Sequence, residues 1–226
     1  MDTETDPQVR AAVADVCRDL ARRGLVIGTA GNVSVRSGAR FAITATGVVF
    51  GRATAEDVVL VDDGGRLAEG RIEPSSETAL HLYAYRNPSV GAVVHTHSPA
   101  ATAVSVLTDE LPCLHYQQLL LGGAVPVVPF AVFGSEELAR SVSGALTGRQ
   151  AVILANHGAV TTGRTLPEAV DNALLLEWAA ELYLRAAAAG TPRGLTADQQ
   201  RDVIEAALRT GYGSTKQAEP EAHQAE

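Results

Sequence analysis

The sequence predicts an α/β fold, a single domain in which helices cover one central β-sheet. Short β-branched runs of strand length recur between longer segments with helical periodicity. The two types alternate irregularly, which argues against a strict βαβ wind. A chain of 226 residues with 46% hydrophobic content is long enough for one sizeable core and too short for two large domains.

Asp6-Pro7 reads as an N-cap with proline at the first helical position. Val9, Val13, Val16 and Leu20 mark the buried face of that helix, and Gly24 stops it. Gly28-Thr29-Ala30-Gly31-Asn32 turns the chain into an alternating strand over 32–36. Ser37-Gly38 leads to a second strand over 41–44, which closes with Ala45-Thr46-Gly47. A third strand spans 58–61. Ser75-Ser76-Glu77 opens a helix over 78–85 that Asn87-Pro88 ends. A strand follows, ending in His95-Thr96-His97, and then a helix over 99–107. A short apolar helix is ended by Gly122-Gly123. Residues 125–130 form a strand carrying two prolines, which places it at a sheet edge. A helix over 136–146 precedes an apolar strand over 151–156 that delivers His157. Thr165-Leu166-Pro167-Glu168 is a capping box for the longest helix, with Val170, Leu174, Trp178 and Leu182 on one face. Thr196 opens a last helix that ends near Gly211. The domain is read as 1–213, and the polar segment 214–226 as a flexible tail.

The net charge of −8 comes without a Lys/Arg cluster, which excludes nucleic acid as the main partner. No uncharged apolar run approaches the ~20 residues that span a bilayer, so no membrane partner is expected. Cys17 and Cys113 are isolated and the N-terminus is acidic and polar, which fits a reduced, cytoplasmic setting without a signal peptide.

Strand side chains alternate faces, so His95 and His97 point the same way. With His157 at a second strand exit and Glu77 at a helix start, they make a set of zinc type. A glutamate at a helix start also favours the dipole with no further function. His81, four residues after Glu77, is a rival ligand that ranks lower, because mid-helix histidines are more often packed. His115 reads as structural. The glycine-punctuated loop at 28–32 resembles an anion nest, the plain alternative being a tight turn. Thr46-Gly47 and Ser75-Ser76 add hydroxyls and a helix N-terminus, which suits a dianion without lysine. Tyr116 and Tyr212 are candidate proton donors.

In order along the chain, the 28–36 segment, Ile43-Thr44-Ala45-Thr46-Gly47, Pro74-Ser75-Ser76-Glu77, Val94-His95-Thr96-His97, Phe133-Gly134 and His157-Gly158 resemble the motifs of the class II aldolase/adducin family. The resemblance covers nearly the whole chain. It implies a central, mainly antiparallel sheet, and one Zn²⁺ per subunit on His95, His97, His157 and, in the resting site, Glu77. It also implies a phosphate site at Thr29, Gly31, Asn32, Thr46, Gly47, Ser75 and Ser76. Glu77 would be the general base, Tyr116 the proton donor on the aldehyde side, Phe133 part of the aldehyde pocket, and Tyr212 the residue that closes the site. The partners implied are a small phosphorylated sugar and three further copies of the chain, in a homotetramer with active sites between neighbours.

The activity implied is cleavage of a ketose 1-phosphate, L-fuculose 1-phosphate or a related deoxyketose 1-phosphate, to dihydroxyacetone phosphate and an aldehyde such as L-lactaldehyde. A pentulose-phosphate 4-epimerase, a sugar-phosphate dehydratase and a decarboxylase share the scaffold. Within the family the 4-epimerase carries Asp where this chain has Glu77. A metal-free, adducin-like interaction domain is the reading from outside enzymology, and the intact histidine set speaks against it. Two positions depart from the family pattern. Ala45 replaces a proline, which predicts a looser loop, and Asn156 stands where a histidine precedes His157.

Overall fold

Residues 6–211 are described by the computed structural model; Tyr212 and the 214–226 tail lie outside them. Nine strands form one sheet among the described residues: β1 (Asn32–Ser37), β2 (Arg40–Thr44), β3 (Val58–Val61), β4 (Leu67–Glu69), β5 (Ala92–Thr96), β6 (Glu110–Leu111), β7 (Val125–Val128), β8 (Ala151–Leu154) and β9 (Gly158–Gly163). Their order across the sheet is β4-β3-β2-β1-β5-β9-β8-β7-β6. Every pairing is antiparallel except β7 with β8, so the mainly antiparallel α/β sheet is as expected.

Helices α1 (Asp6–Arg22), α2 (Thr78–Ala84), α3 (Pro99–Ser105), α4 (Glu136–Ala145), α5 (Leu166–Ala189) and α6 (Ala197–Thr210) accompany the sheet. Helix α1 packs on β1 to β3, α5 on β5, β8 and β9, and α2 on α4. Every residue of β5, β8 and β9 is buried. These strands are covered on both faces, which is why β5 and β8 read as largely apolar runs. The side chains of Phe50, Leu20, Ile43, Leu60 and Ile153 are fully buried. Truncating any one of them to alanine costs about 2–5 kcal/mol.

Four sequence expectations are corrected. Strand β9 was not foreseen, although it lies in the interior of the sheet between β5 and β8. Its glycines, Gly158 and Gly163, mask a β-branched run. The proline-bearing β7 is not the outermost strand, because two-residue β6 pairs beside it, with Glu110 opposite Pro126. Proline is tolerated there because so little of a ladder lies on that side. The short apolar helix is a 3-10 turn, Tyr116–Leu121. In α5 the buried face is the alanine-rich one through Ala169, Ala173, Leu176 and Ala180. Trp178, expected to face the core, is 43% exposed; small side chains let α5 approach the sheet closely.

Cys17 and Cys113 are both free and buried. No helix among the described residues is long and apolar enough to cross a membrane.

Candidate active site and metal centre

Strand register assembles the centre. Thr96 in β5 pairs with Ala159 in β9, which sets the β8–β9 turn carrying His157 beside the end of β5. Gly158 permits the approach, since a Cβ there would stand 2.1 Å from Thr96 O. The turn also needs Asn156 at φ 57°, the single non-glycine residue in the left-handed region among those described. Asparagine tolerates that region better than most side chains, and Asn156 N–H donates to Ser105 Oγ at 2.9 Å. The three imidazoles meet with ring centroids 4.8–4.9 Å apart.

Glu77 caps α2, yet its carboxylate makes no capping bond. It turns instead into the histidine cluster, with Oε2 3.2 Å from His95 Nε2 and Oε1 3.6 Å from His157 Nε2. Asn32 Nδ2 donates to Oε2 at 2.9 Å. Burial by itself would push this carboxyl up. The hydrogen bond and charge of His95, then the Asn32 amide and the charge of His157, outweigh it and hold Glu77 well below the usual carboxylate range. Burial, reinforced by His95 and His157, pushes His97 down to about 4, and burial likewise lowers His157. Both shifts favour the neutral imidazole, the form that ligates metal.

These groups fit a divalent cation. One ligand atom from each of Glu77, His95, His97 and His157 lies within 4.8 Å of all the others. Glu77 Oε1 is buried with no hydrogen-bond partner among the described residues. His95 Nδ1–H donates to Ala159 O at 3.0 Å, which turns Nε2 inward to the cluster, 3.0 Å from His97 Nε2. Three imidazoles and a carboxylate are a donor set of zinc type.

One cavity of about 560 Å³ opens over this centre, and all eight expected substrate-binding residues, Thr29, Gly31, Asn32, Thr46, Gly47, Ser75, Ser76 and Phe133, line it. Among the described residues no Lys or Arg does. The loop carrying Thr46 is pinned. Ala45 N–H donates to Asp57 O at 2.8 Å, Thr46 N–H to Glu73 O at 2.9 Å and Ser75 N–H to Thr44 O at 3.1 Å. Alanine at 45 supplies a donor that proline lacks, so the predicted looseness is offset by a hydrogen bond. The 28–32 loop is not an unbroken nest, because Ala30 N–H already donates to Ile27 O. Gly31, at φ 95°, lies so close to β5 that a Cβ would stand 2.8 Å from His95 O.

Not every expected residue is gathered here. Tyr116 opens the 3-10 turn, packs its ring at a tilt against His115 and is 38% exposed, off the cavity of its own chain. Tyr212 falls outside the described residues. Phe130, Val132 and Asn156 line the cavity and were not singled out as cavity residues. Two apolar side chains in a proline-bearing loop carry no chemical signal by themselves. His115 is structural, as expected, its ring accepting from Gln117 N–H at 3.3 Å.

The model of the Class II Aldolase and Adducin N-terminal domain matches residues 11–184. The chain belongs to the class II aldolase and adducin family. Within it, the chain is 38% identical over 203 residues to the L-fuculose phosphate aldolase of Escherichia coli K12, covering 89% of this chain and 94% of that one. It is 39% identical over 200 residues to a 5-methylthioribulose-1-phosphate/5-deoxyribulose-1-phosphate aldolase of Rhodospirillum rubrum, covering 87% and 90%. A solved structure of an L-fuculose 1-phosphate aldolase superposes with a TM-score of 0.85 at 32% identity, covering 91% of this chain and 99% of that one. The family is a metal-dependent one, and the Glu77–histidine cluster is this member's candidate metal centre.

Proposed function

We propose that this chain is a zinc-dependent aldolase that reversibly cleaves a ketose 1-phosphate, L-fuculose 1-phosphate or a related deoxyketose 1-phosphate, to dihydroxyacetone phosphate and a short aldehyde such as L-lactaldehyde. The observation that carries this reading is the single cavity shared by a metal-competent donor set, two hydroxyl- and glycine-bearing loops and an apolar segment at Phe130–Phe133.

His95, His97 and His157 would hold the metal, with Glu77 in the resting site. A divalent metal there supplies Lewis-acid stabilisation of negative charge on a carbonyl oxygen. Thr29, Gly31, Asn32, Thr46, Gly47, Ser75 and Ser76 hold the phosphate through hydroxyl, amide and backbone N–H donors. Glu77 takes a proton from the dihydroxyacetone phosphate carbon in the condensation direction and returns it in cleavage. Its low proton affinity keeps it ionised, and so ready to accept, at neutral pH. Tyr116 moves the proton on the aldehyde oxygen. Its exposed position off its own cavity suits donation into a neighbour's site, as in a homotetramer with active sites between subunits. Phe133, with Phe130 and Val132 beside it, receives the aldehyde half. Its 66% exposure leaves an apolar face for a deoxygenated chain end, which favours 5-deoxyketose phosphates as a second substrate class.

The test is a screen of ketose phosphates with release of dihydroxyacetone phosphate monitored. Cleavage of a deoxyketose 1-phosphate is expected. Epimerisation of a pentulose 5-phosphate without aldehyde release would overturn the reading.

A further inference from the structure

Behind Glu77, four buried side chains form one hydrogen-bonded file: Asn32, His81, Ser34 and Tyr85. Two local periodicities build it. Asn32 and Ser34 are two apart on β1 and face the same way. Glu77, His81 and Tyr85 are the N-cap, a central residue and the C-cap of α2, four apart each time. Asn32 Nδ2 donates to Glu77 Oε2 at 2.9 Å, and Asn32 Oδ1 meets His81 Nε2. His81 Nδ1 lies 2.7 Å from Ser34 Oγ, which lies 2.7 Å from Tyr85 OH.

An ionised carboxylate only accepts, so the direction of every link is determined. Asn32 gives its NH₂ to Glu77 and leaves Oδ1 to accept. His81 must then donate from Nε2. A neutral ring with Nε2–H accepts at Nδ1, so Ser34 O–H donates there and Tyr85 O–H donates to Ser34. An amide flip at Asn32 would set Oδ1 against Glu77 Oε2 and NH₂ against Nε2–H, breaking two buried hydrogen bonds at once.

We propose that His81, held as its Nε2–H tautomer, is a positioning residue that fixes the orientation of the Asn32 amide beneath Glu77. This makes His81 something other than a fourth imidazole for the metal: its Nε2 is engaged by Asn32, and it stands outside the donor cluster. Burial, then the charge of His95, pushes His81 down to about 3, so the ring is neutral at neutral pH, as a one-way file requires. The consequence for turnover rests on the reading of Glu77 as base and Asn32 as a substrate contact.

The experiment has two arms. On metal-loaded protein without substrate, ¹⁵N NMR of the imidazoles should show His81 as Nε2–H alone. An Nδ1–H ring, or an even mixture, overturns the proposal whatever the reaction. On a ketose 1-phosphate that wild type cleaves, His81→Leu should lower kcat/KM about tenfold per metal-loaded site and raise KM, whereas His81→Gln, which still donates to Asn32, should recover to within about threefold. A purely structural role predicts fewer loaded sites at unchanged KM, with Gln no better than Leu, and that result refutes it. In an Asn32→Ala background His81→Leu should add no further loss, and an additive loss also refutes it. If His81→Leu fails to fold, Ser34→Ala takes its place in both comparisons, with mixed tautomers and a raised KM expected; a single tautomer with unchanged KM counts against the proposal. If wild type cleaves no ketose phosphate, the aldolase reading fails and the NMR arm still decides this one.

Discussion

Replacing Glu77 by Gln separates metal binding from proton transfer. The side chain keeps its length, so an amide oxygen can still accept from Asn32 Nδ2, and three imidazoles remain for the metal. What disappears is the negative charge that accepts a proton, 3.2 Å from His95 and 3.6 Å from His157. General-base catalysis typically contributes ~10²–10⁴-fold, which at about 1.4 kcal/mol per tenfold is about 3–5 kcal/mol of barrier. Glu77→Gln is therefore expected to retain metal and to lose proton exchange by a factor in that range. Glu77→Asp keeps the charge but draws the carboxylate back by about one bond length, ~1.5 Å. That stretches the His95 distance beyond hydrogen-bonding range and lengthens the His157 separation further, and exchange should fall here too. The assay is deuterium uptake by dihydroxyacetone phosphate in D₂O, followed by NMR. Wild-type-like exchange in Glu77→Gln at full metal content would refute the assignment of Glu77 as the base.

Purified protein should carry about one divalent metal per chain, with His95→Ala and His157→Ala each losing it in elemental analysis; full metal in both variants would remove the site. Stripping the metal should lower the midpoint of thermal unfolding, through a loss of about 4 kcal/mol of stability where free metal stood at a thousandfold its Kd. Metal-free protein should lose stability as the pH falls. His81 has its pKa lowered from 6.5 to about 3, so between those values the unfolded chain binds the extra proton. The group's stabilisation is complete above the upper value and declines by up to about 1.4 kcal/mol per pH unit below it. Urea titrations at pH 7, 6 and 5 should show a steeper decline for wild type than for His81→Gln. Thr46→Val and Ser76→Ala should raise KM for a phosphorylated ketose while circular dichroism is unchanged, and an unaltered KM in both would count against the phosphate loops. Gly31 is unsuitable for that test, because a side chain there strikes the backbone of His95. Light scattering should report a tetramer, and full activity in a monomer would exclude a catalytic Tyr116 from a neighbour.

The local half of this protein was legible in the sequence. The two-residue period of a strand by itself puts His95 and His97 on one side, and the helical period relates Glu77 to His81. Glycine, asparagine and hydroxyl residues mark the loops that line the cavity, because backbone geometry demands those types wherever they occur. The sheet's mainly antiparallel character followed from the family resemblance and stands. Long-range pairing decided the rest. His157 reaches the cluster only through the register of β5 with β9, a strand hidden between two glycines, and no local pattern encodes which strands become neighbours. The buried face of α5 is set by how closely it approaches the sheet, so alanines lie inward and Trp178 outward. Asn32 becomes the partner of Glu77 because β1 lies beside β5, with Asn32 opposite His95. Tyr116 stands away from its own cavity for the same kind of reason. Periodicity orients a side chain relative to its own backbone, and only the packing of distant segments determines what that side chain meets.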